Sequence, residues 1–258
     1  MKFVGQHHIM RQLQFLLPRL YESQEDGCNI LLRGPSGFGK TTMALGICRY
    51  LAGSSFQVFL GDWTEFNFRK RVIFIDEVHK VEDIESLYHI MDSREHVLLF
   101  ATNADSNLPE AFVNRCYQYI FDDYTDEELL IIAMEASSFH APESSFLEIV
   151  NAGNRNPRII KSLCERLGIY FQQNGDNSET ADFSTILREV FSIEDGLDTL
   201  SRRYIETLNS VGGTASINLL RSLLHVDSGT LQQEVEPVLL SRGLLRITSK
   251  GRSLVYDD

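Results

Sequence analysis

The sequence has 258 residues, of which 43% are hydrophobic and 23% charged, and its formal net charge is −12. These proportions are ordinary for a soluble globular protein, and no apolar run is long enough to cross a bilayer. The acidic balance excludes a protein that binds nucleic acid over its whole surface, so any such contact must use a local basic patch. The four cysteines form no CxxC pair and the N-terminus has no signal-peptide pattern, so free thiols and a cytoplasmic location are expected.

Short apolar runs in residues 1–123 predict buried strands, and helical stretches such as Thr41–Leu51 lie between them. Buried strands that alternate with helices favour an α/β fold with a parallel sheet covered on both faces. We assign residues 1–123 to this domain, with predicted strands at Asn29–Arg33, Phe56–Leu60, Val72–Ile75 and Val97–Phe100.

The rest of the chain predicts two smaller domains. Residues 124–192 carry helical patterns from a capping-box-like start at Thr125 onward, so they predict an all-helical domain. Its helices are expected at Leu129–Ala136, Glu143–Ala152, Pro157–Phe171 and Phe183–Phe191. Residues 193–258 predict three helices followed by a small β-hairpin, which is the order typical of a winged-helix domain. These helices are expected at Asp198–Val211, Ser216–Leu224 and Ser228–Ser241, before a strand at Gly243–Ile247.

The segment GPSGFGKT follows an apolar strand, opens a helix and satisfies the pattern GxxxxGK[ST]. Its glycines let the backbone wrap phosphate groups, while the helix N-terminus faces their negative charge. Lys40 is expected to reach the β- and γ-phosphates of ATP, and Thr41 to hold Mg²⁺ through its hydroxyl. The alternative is a glycine-rich turn without nucleotide. The predicted ATP-binding residues of this loop are Gly34, Pro35, Ser36, Gly37, Phe38, Gly39, Lys40, Thr41 and Thr42.

Two adjacent acids follow the apolar run VIFI. A buried strand there would deliver Asp76 to the Mg²⁺ site, and Glu77 would lie where a carboxylate can polarise the attacking water. The alternative is a simple strand exit, but the upstream phosphate-binding loop favours the catalytic interpretation. Together the two segments predict an ATP hydrolase.

Further polar groups should surround the γ-phosphate, because phosphoryl transfer depends on positioning and charge stabilisation. Asn103 follows the predicted strand Val97–Ala101 and could orient water, or it could cap a helix or turn. Arg158, at the start of a helix, could reach back to the phosphates or form a surface salt bridge. Arg115 is the candidate arginine finger for a neighbouring subunit's ATP, or a cap on the C-terminus of its own helix.

The order of these motifs resembles that of the RuvB family, the AAA+ motors that drive Holliday-junction branch migration in DNA recombination and repair. In this resemblance Val4 and Gly5, within the segment FVGQ, lie beside the adenine, and Pro157 and Arg158 contact the nucleotide as part of sensor 2. The segments similar to Walker A, Walker B, sensor 1 and the arginine finger are Gly34–Thr42, Phe74–His79, Ala101–Asn103 and Asn114–Arg115.

The C-terminal part of the resemblance is not shared by AAA+ proteins in general. It is similar to the winged-helix domain of the RuvB family at Gly196–Asp198, Arg202–Tyr204, Gly212–Gly213, Glu236–Pro237, Arg242–Leu245 and Gly251–Arg252. The resemblance implies a hexameric ring in a prokaryotic or phage-infected cell, in which the winged helix contacts the DNA backbone while ATP cycles around the ring.

The sequence also departs from the family. Between Walker B and sensor 1 the family carries a β-hairpin that docks onto its partner RuvA, whereas here only Val78–Phe100 separate Glu77 from Ala101. That length is enough for one helix and one strand, so RuvA-type docking is not expected. The sequence therefore looks like a compact, divergent relative whose partner protein and DNA target are left open.

A local basic patch lies in the segment Arg242–Arg252, which contains four basic residues and no acid. It predicts DNA contacts through Arg246, Lys250 and Arg252 at the wing, although a solvated turn or a protein-docking surface would have the same composition. Three hypotheses follow for the chain. The first is a DNA motor similar to a branch-migration helicase. The others are an ATP-dependent loader or switch that assembles a partner on DNA, and an ATP-gated protein-interaction module without translocation.

Overall fold

The computed structural model describes residues 3–23, 27–61, 67–103 and 107–255. The chain divides into two compact units, the first formed by Met1–Glu135 with Asn156–Lys161, and the second by Ala136–Arg155 with Ser162–Asp258. The short segment Asn156–Lys161 therefore belongs with the first unit, although most of its helix belongs with the second. The boundaries of the three predicted domains stay a prediction.

A five-stranded parallel sheet forms the centre of the first unit. The strands are β1 (Cys28–Arg33), β2 (Phe56–Leu60), β3 (Val72–Asp76), β4 (Val97–Thr102) and β5 (Tyr117–Ile120). Their order in the sheet is β2-β3-β4-β1-β5. The predicted α/β fold is confirmed, and all four predicted strands form. The edge strand β5 has no counterpart among the predictions, because its four residues YQYI include only one buried side chain, Tyr119.

Alternate strand residues point to opposite faces of the sheet, and each face is covered by helices. On one face Ile30 and Leu99 pack with apolar residues of α1 (His7–Glu22) and α2 (Lys40–Ala52). On the other face Leu31 packs with residues of the short helices α3 (Tyr88–Ser93) and α4 (Glu110–Val113). The other helical elements of this part of the chain are α5 (Asp126–Ala136) and the 3-10 turns Val78–Lys80 and Ile84–Leu87.

The second unit contains helices of the predicted helical domain and the complete winged-helix pattern. Its first helices are α6 (Glu143–Ala152), α7 (Pro157–Asn174, whose first turn lies in the first unit) and α8 (Phe183–Glu189). The winged helix comprises α9 (Thr199–Ser210), β6 (Thr214–Ala215), α10 (Ile217–Leu224), α11 (Ser228–Thr230), a π-helical turn (Leu231–Val235), α12 (Glu236–Ser241), β7 (Leu245–Thr248) and β8 (Gly251–Leu254).

Three helical segments followed by a hairpin confirm the predicted winged helix. The hairpin strands β7 and β8 are antiparallel, and β6 adds a third strand on the far side of β8. This two-residue strand was not predicted, because it is too short to show an alternating pattern. None of the helices in the described ranges combines the length and apolarity needed to span a bilayer.

Candidate nucleotide-hydrolysis site

The phosphate-binding loop lies between β1 and α2, at the carboxyl edge of the sheet. Gly37 and Gly39 have φ angles of 86° and 91°, which L side chains rarely adopt. At Gly37 a Cβ atom would also lie 2.1 Å from the side-chain oxygen of Asn156, so the loop needs glycine there. Since α2 starts without a side-chain cap, its first backbone N–H groups are oriented for an anionic ligand. Thr42 lies in this first turn.

Lys40 is buried and its ammonium bonds to the loop itself. Nζ donates to the carbonyl oxygens of Gly34 at 2.7 Å and Pro35 at 2.8 Å. Burial lowers the pKa of Lys40 below its ordinary value, and the carboxylates of Glu77 and Asp76 partly oppose this shift. A phosphate group next to Lys40 would supply the negative charge that favours the protonated amine.

The two predicted metal ligands meet across the sheet edge. The hydroxyl of Thr41 donates to Asp76 Oδ2 at 2.8 Å, so a hydroxyl and a carboxylate converge beside the loop. Hard oxygen ligands of this kind are the ones that Mg²⁺ prefers. The other carboxylate oxygen of Asp76 accepts the backbone N–H of Glu77 at 3.0 Å. The backbone of Glu77 is therefore held at the end of β3, next to Asp76. Its φ of 52° lies in the left-handed region.

The residues predicted to form sensor 2 also reach the loop within the first unit. Asn156 Nδ2 donates to the backbone oxygen of Ser36 at 2.9 Å, and the Arg158 guanidinium contacts Ser36 Oγ at 3.3 Å. Pro157 is the first residue of α7, where a proline needs no N–H partner and its fixed φ suits the helix. This arrangement brings Arg158 next to the phosphate-binding loop; its contact with the phosphates stays a prediction.

The N-terminal segment packs beside the same loop. Gly5 has a φ of 74°, and a Cβ atom there would lie 2.8 Å from the ring of Tyr124. The hydroxyl of Tyr124 donates to the backbone oxygen of Phe38 at 2.8 Å. The side-chain amide of Gln6 exchanges hydrogen bonds with the backbone N–H and carbonyl of Asp122. These contacts hold Gly5 and Gln6 beside the loop; a contact of Val4 and Gly5 with adenine stays a prediction.

Asn103 directly follows β4, which pairs with β1 on one side and β3 on the other. This strand order puts Asn103 at the same sheet edge as Asp76 and the phosphate-binding loop. Its role in orienting water stays a prediction. The residue before it, Thr102, is fully buried and contacts His79, a residue that the sequence patterns did not single out for chemistry.

Arg115 is held by several groups of its own chain. Its Nε and one terminal nitrogen bond the two carboxylate oxygens of Asp92 at 3.0 and 3.2 Å, and the guanidinium lies 4.5 Å from the ring centre of Tyr88. The other terminal nitrogen donates to Ala111 O, so Arg115 also binds a carbonyl of its own helix α4, as the capping alternative expects. The hydrogen bonds to Asp92 raise the pKa of Arg115. Its action on a neighbouring subunit stays a proposal.

Arg252, which the sequence assigns to a DNA contact, is bound by groups of its own winged helix. Arg252 Nε and a terminal nitrogen bond Glu236 at 2.8 and 3.2 Å, and Glu236 also accepts the hydroxyl of Tyr204 at 2.9 Å. Side-chain exposure is 14% for Arg252 and 2% for Glu236. The Arg252 charge is therefore neutralised inside the winged helix. Arg246 and Lys250 are exposed, so they stay candidates for the DNA contact.

The fourth basic residue of the patch, Arg242, is also bonded within its unit. Its guanidinium donates to Asn154 Oδ1 at 2.8 Å, to the carbonyl of Asn151 at 2.9 Å and to the carbonyl of Asp195. Gly196 leaves room for it, since a Cβ atom there would collide with the guanidinium. Arg242 thus joins the end of α12 to the loop after α6 and has a structural role.

Comparisons with known proteins identify both the nucleotide-binding part of the chain and its winged helix. Residues 30–124 match the AAA family, the ATPase family associated with various cellular activities, and residues 194–257 match the RuvB C-terminal winged helix domain. The chain is similar to the RuvB-type AAA ATPases. The predicted recognition is therefore confirmed, and nucleotide binding and ATP hydrolysis follow from the family.

Named relatives cover nearly the whole chain. The Holliday junction branch migration complex subunit RuvB of Campylobacter fetus subsp. fetus is 25% identical over an alignment of 292 positions that covers 99% of this chain and 85% of the relative. The protein of the same name from Mycoplasma pneumoniae is 25% identical over 290 residues, covering 97% of this chain and 92% of its own length.

Solved structures show the same fold. The Thermotoga maritima RuvB Holliday junction branch migration motor has a TM-score of 0.82 at 27% identity, covering 98% of this chain and 93% of its own. A point mutant of that protein has a TM-score of 0.84 at the same identity and coverage.

Proposed function

We propose that this chain is an ATP-driven motor that moves branch points in DNA, like the Holliday-junction proteins it resembles. The observation that carries the proposal is the combination of two parts in one chain. One is a hydrolysis site in which Lys40, Thr41, Asp76 and Glu77 meet at one sheet edge. The other is a winged helix of the RuvB type. A cytoplasmic location, where ATP and DNA are both available, belongs to this proposal.

The residues at the sheet edge fit ATP with Mg²⁺. When bound, the metal ion neutralises charge on the β- and γ-phosphates. Thr41 and Asp76 offer the ion a hydroxyl and a carboxylate, and Lys40 offers the phosphates a buried cation after leaving the carbonyls of Gly34 and Pro35. Glu77 then accepts a proton from the attacking water, whose oxygen bonds to the γ-phosphorus while the bond from that phosphorus to the β–γ bridging oxygen breaks and ADP leaves. Arg158, at Ser36, stabilises charge on the same phosphate.

The DNA contact is proposed for the tip of the wing. The helical segment from Ser228 to Ser241, which precedes the wing, contains no lysine or arginine, so it offers phosphates no cation. Arg246 on β7 and Lys250 in the turn between β7 and β8 are exposed. Phosphate contacts by these two residues would position the chain on DNA without reading its sequence.

Replacing both Arg246 and Lys250 with alanine is expected to remove the stimulation of ATP hydrolysis by DNA and leave the basal rate within about twofold. Steady-state ATPase assays with duplex, single-stranded and four-way-junction DNA at two salt concentrations test this. Each lost phosphate contact should reduce the slope of log affinity against log salt by about 1. Arg203→Ala, at an exposed basic residue of α9, serves as a surface-charge control. Unchanged stimulation of the double variant by DNA would show that the DNA contact lies elsewhere in the chain.

We further propose that copies of the chain assemble into a ring, with a hexamer favoured, and that Arg115 acts on the ATP of the next subunit. Arg115→Ala is expected to lower hydrolysis about 10³-fold, in the range of arginine fingers, with ATP binding retained. Mixing this variant with Glu77→Gln tests the direction of action. Activity should partly return in the mixture, because one partner supplies the arginine and the other supplies the carboxylate. Two inactive variants that stay inactive when mixed would place Arg115 in its own site.

One structural observation favours the loader or switch as a second candidate. Between β3 and β4 the chain has only 3-10 turns and α3, and no β-hairpin occurs in residues 67–103, all of which the structure describes. A partner that docks on such a hairpin in the family would therefore need another surface here. A protein-interaction role without DNA is the third candidate, favoured by the lack of basic residues in the segment Ser228–Ser241. DNA stimulation of ATP hydrolysis separates it from the other two.

A further inference from the structure

The side chain of His79 connects two neighbouring strand ends of the hydrolysis site. His79 lies in the 3-10 turn directly after Glu77, and its Nε2 atom is 3.3 Å from Glu77 Oε2. Its Nδ1 atom is 3.1 Å from the hydroxyl of Thr102. Thr102 is the last residue of β4, is fully buried and directly precedes Asn103. The imidazole therefore links the catalytic carboxylate after β3 to the sensor 1 strand.

The hydrogen-bonding capacity of these groups gives the link a direction. An ionised carboxylate only accepts hydrogen bonds, so the proton of a neutral His79 belongs on Nε2, which faces Glu77. Nδ1 is then the acceptor, and the hydroxyl of Thr102 donates to it. In this tautomer Thr102 donates to His79 and His79 donates to Glu77, so a hydrogen bond on each side fixes the orientation of the ring.

Among the residues that the structure describes, few groups besides His79 hold the Glu77 carboxylate in place. The backbone of Glu77 is fixed by its N–H to Asp76 and by its carbonyl to the N–H of Lys80. The left-handed φ of 52° is a conformation that persists only where the surroundings impose it. The carboxylate itself contacts Lys80 Nζ at 3.8 Å, but that ammonium is 54% exposed and such ion pairs are weak in water. His79, with 22% side-chain exposure, is the better placed support.

We propose that His79 is a positioning residue that aims the Glu77 carboxylate at the attacking water and couples it to the strand end Thr102–Asn103. The inference rests on the catalytic role proposed for Glu77 and deepens it. A movement of β4 that follows occupation of the γ-phosphate site would shift the Thr102 hydroxyl, turn the imidazole and thereby change the direction of Glu77. The general base would then be aligned only when the sensor strand is in place.

The test uses basal ATP hydrolysis by the full chain, without DNA. His79→Ala and Thr102→Val are each expected to lower kcat about tenfold or more, with KM and the affinity for a fluorescent ATP analogue within about twofold. Thr102→Ser keeps the hydroxyl and is the matched control, expected to retain most of the activity. His79→Gln places an amide N–H near the position of Nε2 and should recover part of the loss caused by His79→Ala.

A double variant separates positioning from a general structural role. If His79 acts through Glu77, adding His79→Ala to Glu77→Gln should cost little further activity. A structural defect would instead lower the activity of the unchanged protein and of Glu77→Gln by the same factor. Equal losses in the two backgrounds, or a Thr102→Val variant as active as Thr102→Ser, would overturn the proposal. All of these assays are done without DNA. The role of His79 can therefore be confirmed even if DNA does not stimulate the chain, and a failure of the motor proposal is distinguished from a failure of this one.

Discussion

Glu77→Gln is expected to lower kcat for ATP hydrolysis by about 10²–10⁴-fold, the usual contribution of a general base. The amide keeps the size of the carboxylate but cannot accept the proton of the attacking water. Lys40, Thr41 and Asp76 are unchanged, so ATP affinity should stay within a few fold. Steady-state kinetics together with equilibrium binding of a fluorescent ATP analogue measure the two effects separately.

Lys40→Ala is the matched comparison for this variant. It removes the buried cation of the phosphate-binding loop, so it should abolish nucleotide binding rather than the chemical step. A Glu77→Gln protein that hydrolyses ATP at the normal rate would remove Glu77 from the role of base. The same result would leave the His79 proposal without its target.

Glu236→Ala is expected to destabilise the winged helix by about 3–5 kcal/mol, the cost of leaving one partner of a buried ion pair alone. Glu236 accepts hydrogen bonds from both Arg252 and Tyr204, and Tyr204 is fully buried. Burial and the Glu236 carboxylate raise the pKa of Tyr204, so its hydroxyl stays protonated and remains a donor. Without Glu236, the arginine charge and the tyrosine hydroxyl both lose their acceptor.

Hydrogen exchange on the full chain localises this effect, because the slowest amides of α9 and β8 report the free energy of opening of the winged helix. Tyr204→Phe is the milder control, expected to cost about 1 kcal/mol because it removes a single hydrogen bond. Replacing the pair by Glu236→Leu with Arg252→Met should recover much of the stability lost in Glu236→Ala. Unchanged exchange in Glu236→Ala would show that the buried network does not stabilise this domain.

Sequence patterns were informative where the chemistry is contiguous along the chain. The phosphate-binding loop from Gly34 to Thr41 and the pair Asp76-Glu77 each combine a strand with the polar residues that follow it. Both the fold and the hydrolysis chemistry could therefore be inferred from local spacing. The winged helix was predictable for a similar reason, since its helices precede its hairpin in a fixed order.

Contacts between distant residues could not be inferred in this way. Asn156 bonds Ser36, 120 positions away, and the sequence offered only its place in the sensor 2 motif. Thr102 and His79 are 23 positions apart, and their meeting depends on the register of neighbouring strands. Arg252 was predicted to contact DNA because it lies in a basic segment without acids. The acid that neutralises it, Glu236, comes from α12 and is brought close only by the packing of the hairpin.

The central claim is that ATP hydrolysis by this chain moves branch points in DNA. The most direct measurement follows a labelled synthetic four-way junction in the presence of the protein, Mg²⁺ and ATP, with Glu77→Gln and the Arg246/Lys250 double alanine variant in parallel. The account predicts ATP-dependent conversion of the junction into duplex products by the unchanged protein and none by either variant. Steady ATP hydrolysis over a junction that stays intact would contradict the claim and favour the loader or switch.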